Sequence, residues 1–290
     1  MSFRVVAPAS SANLGPGFDA AAVALELWNE VVVEPSTDGL HIEVEGEGAD
    51  EAPRDATHLA VRAFEQFARA ERYRFRFLNR IPFERGLGSS AAAIALGLVA
   101  GALASGRDLR AAELLDIGAR LEGHADNLAA AIYGGACVAW ERGGHAHAAR
   151  LADDMPLVPV IAVPSSRTAT SESRDGLPVT VKHEDAAVTA GSATLLGAAI
   201  ASGSAELLRD AFNDRIHEQY RSTTSPLLGL LRAAPPDGVL GVTLSGSGPS
   251  VVAWTEEAHV AAVVEQLQHD LPPDTQVLAL RVAKEGARLT

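Results

Sequence analysis

The chain has 290 residues, 47% of them hydrophobic, enough to bury a substantial core in one or two domains. Its 24 lysines and arginines against 37 aspartates and glutamates leave a net charge of −13, which excludes nonspecific nucleic-acid binding, a task that needs clustered cations. Cys137 stands alone and cannot form an internal disulfide, and Met1 to Val5 lead into a strand pattern with neither a signal-type region nor an apolar span of about 18 residues, so a cytoplasmic enzyme without a membrane partner is expected.

The apolar run Phe3 to Ala7 reads as a strand, followed by the small-residue loop Pro8-Ala9-Ser10-Ser11-Ala12-Asn13-Leu14-Gly15-Pro16-Gly17-Phe18-Asp19. Its glycines and prolines fix a bend, while Asn13 and Asp19 offer an amide and a carboxylate either to a polar ligand or to their own backbone in a capped turn. Tyr73 to Ile81 partly alternates apolar and polar residues, as a strand with one buried face does, and Pro82 closes it. Next comes Gly86-Leu87-Gly88-Ser89-Ser90-Ala91-Ala92-Ala93, a permissive turn joined to a helix predicted over Ala91 to Ala104. Ser89 and Ser90 suit its cap and first turn. The unpaired N–H groups of such a helix, with about half a unit of positive charge from its dipole, suit an anion such as a nucleotide phosphate. A plain strand-to-helix connection is the alternative. The run is neither a Walker loop nor Gly-x-Gly-x-x-Gly, and the only lysines are Lys182 and Lys284, so phosphate charge falls to backbone amides, arginine or a metal ion.

A helix predicted from Arg110 to Leu121 leads to Leu121-Glu122-Gly123-His124-Ala125-Asp126-Asn127-Leu128. Glu122 near a helix C-terminus opposes the dipole, which points to a nearby cation, and a hard Mg²⁺ could be served by Ser90, Glu122 and triphosphate oxygens. A strand at Ala136 to Glu141, a polar irregular stretch from Arg142 to Pro156, a strand at Leu157 to Val163 and three helical stretches within Ala186 to Ala234 follow. Arg174, in the loop Ser165 to Gly176, and Arg221, after Asn213-Asp214-Arg215-Ile216-His217-Glu218-Gln219-Tyr220, offer planar forks to a carboxylate, although nothing in their spacing separates them from surface arginines. Val239 to Leu244 and Val251 to Trp254 read as strands around Ser245-Gly246-Ser247-Gly248-Pro249-Ser250, a flexible hairpin or a site-lining loop. A helix near Ala258 to Asp270 and a strand over Gln276 to Val282 complete the chain. Strands and helices mix without a regular βαβ repeat, which favours the α+β class.

These blocks resemble the small-molecule kinases grouped as galactokinase, homoserine kinase, mevalonate kinase and phosphomevalonate kinase. Ile81-Pro82 with Gly86 to Ala92 is similar to the family's phosphate loop, and Gly241 to Ser250 to its third motif; Pro8 to Asp19 and Glu122 to Asn127 resemble the homoserine kinase branch. The mevalonate-type branch carries a lysine in its opening motif, and here there is none. The resemblance spans nearly the whole chain. It implies an N-terminal ribosomal protein S5 domain 2-like domain over residues 1–155 and a C-terminal ferredoxin-like domain over 156–290. It also implies ATP-dependent phosphorylation of L-homoserine on its side-chain hydroxyl, on the route to threonine, with ATP and Mg²⁺ required.

By that resemblance Pro82, Arg85, Gly86, Leu87, Gly88, Ser89, Ser90, Ala91 and Ala92 would cradle the triphosphate, and Ser90 and Glu122 would hold Mg²⁺. Longer relatives carry an insertion between the acid and the histidine, so Asp116 is the second candidate for the carboxylate. Asn13, Asp19, His124, Asp126, Thr170, Arg174 and Arg221 would bind substrate, with both arginines on its carboxylate and Asp19, His124 and Asp126 on its ammonium side. Asn127 would orient the attacking hydroxyl, and catalysis would rest on Asn127, Asp126 and His124 through positioning rather than a dedicated base. Glu84 stands where the family usually has a small residue. A kinase of another small alcohol and a catalytically silent relative are the alternatives, and the oligomeric state is left open, a homodimer included.

Overall fold

In the computed structural model the described residues are 2–168, 170–222 and 225–290, with residues 170–172 described by backbone only. Small side chains let the first strand, β1 (Phe3–Ala12), bury every residue from Ala7 onward. It pairs antiparallel with β2 (Ala21–Pro35), and the register shifts between Pro8 and Ala9, next to the proline that has no N–H for the ladder. Expected to end at Ala7, the strand instead runs to Ala12. The bend begins only at Asn13 and Leu14, which both adopt positive φ.

β3 (His41–Gly46) and α1 (Leu59–Phe64) precede β4 (Tyr73–Asn79), whose alternation buries Phe75 and Phe77 as predicted. β4 pairs antiparallel with β2 and parallel with β3. α2 (Ser89–Ala104), α3 (Ala111–Glu122) and α4 (Asp126–Tyr133) come next, and α2 and α4 lie across β1. β5 (Ala136–Arg142) pairs with the start of β2, and β6 (His145–Ala152) folds back on β5 through Gly143 and Gly144, both at positive φ. The stretch from Arg142 to Pro156, expected to be irregular, therefore holds a strand.

β7 (Val158–Val163) opens a second sheet. After it come α5 (Thr170–Asp175), α6 (His183–Ser202), α7 (Ala205–Ala211), α8 (Glu218–Arg221) and α9 (Pro226–Ala233), so four helices rather than three fall between Ala186 and Ala234 or overlap that span. α6 reaches the length and mean hydropathy, 1.2, of a membrane span, against the expectation of no such run. Here it packs on α7 and places Leu196, Ala199 and Ile200 in the main core. β8 (Val239–Leu244), β9 (Val251–Thr255), α10 (Val260–Asp270) and β10 (Gln276–Ala279) complete the second sheet, in the antiparallel order β10-β7-β9-β8. The final strand, β11 (Arg288–Leu289), leaves that sheet and pairs with β1, so the end of the chain expected in the second domain closes the first sheet. One core joins the two halves, from Val5, Phe75 and Leu98 to Ile161, Leu196 and Trp254. A smaller one, including Val160, Leu228 and Val263, sits under α9 and α10. The architecture is α+β, as expected.

Candidate active site

Buried alanines hold α2 in place, so the cavity in front of it receives the helix N-terminus. Gly88 is the N-cap, at φ 66°, and no side chain caps the first turn, a role expected of Ser89 and Ser90. Its N–H groups face the loop, the arrangement that suits an anion. Gly86, at φ 73°, could not carry a side chain, because a Cβ there would lie 2.1 Å from the Ser245 carbonyl oxygen. That close approach is fixed by Ser245, whose hydroxyl donates to the Gly86 carbonyl at 2.7 Å, while Gly246 N donates to the Ala12 carbonyl at 3.0 Å. The Ser-Gly loop is therefore packed against both the first block and the phosphate loop, not a free hairpin.

The loop opens on a cavity of about 510 Å³ lined by Pro82, Glu84 to Ser90, Glu122, His124, Asp126 and Asn127, together with Asn13, Asp19, Arg174 and Arg221. Ala91 and Ala92 are fully buried in α2 and do not reach it. Arg85 lines the wall, but its guanidinium is engaged elsewhere: Nε donates to the Pro164 carbonyl at 2.9 Å and Nη2 to the Ser165 carbonyl at 3.0 Å. It straps the loop to the second half of the chain rather than presenting a free charge. Glu84 is exposed at φ 54°, and its carbonyl accepts from Thr168 N at 3.1 Å.

Glu122 ends α3 against Gly123 at φ 90°, and its carboxylate accepts a hydrogen bond from the Ser90 hydroxyl. Burial pushes its pKa up, with the Ser90 bond opposing. Asp116 stands apart. It accepts from Arg120 at 2.6 Å and from Ala146 N at 3.1 Å, lies 3.1 Å from His145 Nδ1, is held down to about 2 by these bonds, and does not line the main cavity. These partners leave Glu122, not Asp116, as the acid beside Ser90. No cluster of three or more metal-ligating residues occurs among the described residues.

His124 Nδ1 lies 2.9 Å from Asp126 Oδ1, and this contact raises the histidine pKa. Asp126 is buried at the start of α4 and also accepts from Asn127 N at 2.8 Å. Asn127 Oδ1 accepts from the Ser10 hydroxyl at 2.8 Å. Asn13 spends its amide on the protein, donating to the Gly246 carbonyl at 2.8 Å and accepting from Asp19 N at 3.0 Å. It shapes the loop that carries Asp19. Arg174 forms a bidentate pair with Asp19, at 2.7 and 2.8 Å. The side chain of Thr170 lies outside the described residues.

Arg221 is buried, against the surface position its sequence context allowed, with Nη1 3.1 Å from His217 Nδ1. Since His217 Nε2 lies 2.7 Å from the Gly15 carbonyl, the imidazole donates there and accepts from Arg221, which requires the neutral form. Burial lowers its pKa accordingly. Phe18 stacks on His217 at 4.8 Å and faces both guanidinium groups, at 5.3 Å from Arg221 and 5.9 Å from Arg174. Sequence reasoning missed Phe18 and His217. Both lie inside blocks it had singled out, but an aromatic ring between charged neighbours gives no signal before folding brings the arginines to it.

The family model described as GHMP kinases N terminal domain matches residues 57–135, and GHMP kinases C terminal matches 195–272. The homoserine kinase of Streptomyces avermitilis is 43% identical over 264 residues, covering 88% of this chain and 86% of that protein; that of Streptomyces coelicolor is 44% identical over 273 residues, covering 91% and 87%. The crystal structure of homoserine kinase from Cytophaga hutchinsonii superposes with a TM-score of 0.89 at 25% identity over 100% of this chain and 97% of the other. Mevalonate kinase from L. major shares the fold, with a TM-score of 0.71 at 15% identity over 97% of this chain and 96% of the other. The two-domain architecture expected from sequence is that of these proteins, and the chain belongs to the GHMP kinases, in their homoserine kinase family.

Proposed function

We propose that the protein transfers the γ-phosphoryl group of ATP to the side-chain hydroxyl of L-homoserine, giving O-phospho-L-homoserine. The observation that carries this reading is the charge pattern of one cavity. Beyond the anion-binding end of α2 stand acids, Asp19 and Asp126, and two arginine forks, Arg174 and Arg221. An α-amino acid presents the complementary charges: its carboxylate suits the forks and its ammonium the acids. Arg174 and Asp19 pair with each other in this structure. A zwitterion entering the cavity exchanges that pair for two of its own, which keeps each charge compensated while bound.

Phosphoryl transfer asks for alignment and charge neutralisation more than for covalent help. The backbone of Gly86 to Ser90 receives the triphosphate. Ser90 and Glu122 offer adjacent hard oxygen donors and suit Mg²⁺, which when bound would neutralise phosphate charge. The hydroxyl oxygen forms its bond to the γ-phosphorus as the bond to the β-bridging oxygen breaks. Asn127 orients that hydroxyl, and because an amide is no base, the hydroxyl proton passes to an oxygen of the transferred phosphoryl group and from there to solvent. His124 and Asp126, already paired, hold the ammonium side.

An ADP-release assay across L-homoserine, threonine, mevalonate and galactose tests the substrate, with homoserine expected to give by far the largest kcat/KM. Faster turnover of another alcohol would overturn the assignment. Arg174→Leu and Arg221→Leu should each raise the homoserine KM on the order of tenfold or more while leaving the ATP KM within about threefold. Equal effects on both constants would remove the carboxylate clamp.

A further inference from the structure

We infer that Ser10 is a positioning residue for phosphoryl transfer, acting through Asn127; the inference rests on the reading of Asn127 as the group that orients the acceptor hydroxyl. Ser10 lies in β1, fully buried, away from any direct route to substrate. Its backbone N–H and its hydroxyl bond to two elements that face the cavity, the phosphate loop and Asn127. The backbone N–H donates to the Leu87 carbonyl at 3.1 Å, inside the phosphate loop, and the hydroxyl donates to Asn127 Oδ1 at 2.8 Å.

The direction of the second bond decides what Asn127 can do. A side-chain amide has two orientations of similar shape, one presenting its oxygen to the cavity and the other its NH₂. Were Asn127 turned so that its NH₂ met Ser10, the serine oxygen would accept and its own proton would lack a partner, since Ser10 Oγ has no other hydrogen bond among the described residues. Leaving a buried donor unmet is unfavourable. Donation from Ser10 to Oδ1 satisfies both groups and leaves the amide NH₂ for the cavity that Asn127 lines. A donor, not an acceptor, then faces the attacking oxygen and the transferring phosphoryl group.

Gly88 belongs to the same device. A Cβ there would lie 2.0 Å from Ser10 Oγ and 3.1 Å from Asn127 Oδ1. The bare glycine thus leaves room for the hydroxyl–amide bond directly behind the phosphate loop. One buried serine thereby ties the loop that holds the phosphate donor to the residue that holds the acceptor. Small displacements between such partners cost large factors in rate.

A double-mutant cycle tests this. Ser10→Ala should lower kcat on the order of tenfold to a hundredfold while the homoserine and ATP KM values stay within about threefold. Asn127→Ala should lower kcat further, and Ser10→Ala/Asn127→Ala should be no worse than Asn127→Ala alone, because the serine acts only through the amide. Losses that multiply in the double variant, or a normal kcat for Ser10→Ala beside a crippled Asn127→Ala, would overturn the inference and leave the acceptor reading standing. A normal kcat for Asn127→Ala would overturn the acceptor reading itself. Asn127→Asp supplies an independent arm: it keeps an oxygen for Ser10 and lacks the amide donor, so kcat should fall as far as in Asn127→Ala. Retained turnover in Asn127→Asp would show that the donor is not what Ser10 orients, and would overturn the inference.

Discussion

Backbone strain collects where the site needs it. Among the described residues the non-glycine positive φ values belong to Asn13, Leu14, Asp19 and Glu84, all in or beside the two loops that face the cavity. Gly88 is held to glycine twice, by a φ of 66° and by the Ser10 hydroxyl behind it. Gly88→Ala should therefore destabilise the fold by about 1–3 kcal/mol in urea unfolding and reduce kcat at least tenfold. An unchanged midpoint and kcat would show that the loop yields more easily than this geometry allows. Cys137 shows the opposite character. It is buried, its thiol donates to the Gly134 carbonyl, and burial pushes its pKa up to about 12. A thiol reagent at pH 8 should leave the native protein unlabelled and modify one residue after denaturation, because the thiolate is the reactive form. At this scale the positive-φ glycines Gly86 and Gly88 were legible before folding, because glycine takes that backbone freely, whereas the roles expected of Ser90, Glu122 and Asn127 rest on the motif resemblance. The strap made by Arg85 and the loop bonds of Asn13 were not, because those partners are distant in the chain.

Short elements do much of the positioning. α8 has four residues, too few to be stable alone, and it survives because Asp214 accepts from the backbone N–H groups of Ile216, His217 and Glu218 at its start. Glu218 then anchors it, accepting from Leu244 N at 2.6 Å and from Arg232. Glu218→Ala would strand the buried Leu244 N–H and release the helix carrying Arg221. The expected result is a loss of about 2–4 kcal/mol of stability together with a higher homoserine KM. A drop in stability with no change in KM would separate the anchor from the site. Element types were legible from the long alanine-rich apolar run of α2, the helical spacing of leucines and alanines in α3 and the partial alternation of β4. β6 was missed because its alternation, His145-Ala146-His147-Ala148-Ala149-Arg150, contrasts residues of weak and ambiguous hydropathy. β1 was cut short because Pro8 reads as a break, whereas the register shift beside it absorbs the missing donor.

At the scale of the whole molecule the cavity is lined by both halves of the chain, and its wall includes His58 stacked on Phe77 at 4.3 Å. Burial pulls His58 down to about 4 from an ordinary value of 6.5. Between these values the unfolded chain binds a proton that the folded chain refuses, so stability should fall as pH drops from about 6.5 toward about 4 and be unaffected by this group above that range. Urea unfolding of the wild type and His58→Phe at pH 7, 5.5 and 4.5 checks this, the variant being expected to lose less stability toward acid by up to about 3 kcal/mol. Parallel pH dependence in both proteins would assign the loss to other groups. The sequence by itself determined the α+β class, the glycine turn at the head of α2 and the family, because glycine turns, helical periodicity and motif spacing act over short stretches of chain, whereas the choice of Glu122 over Asp116 beside Ser90 waited for the fold. Tertiary structure alone decided which hydrogen bonds those residues make. It closed Arg174 onto Asp19, seated Phe18 between two arginines, set the neutral tautomer of His217 and aimed the Asn127 amide from Ser10, contacts across 117 residues or more in all but the last histidine pairing with Arg221. Such contacts depend on how sheets and loops pack in three dimensions, and no local pattern encodes them.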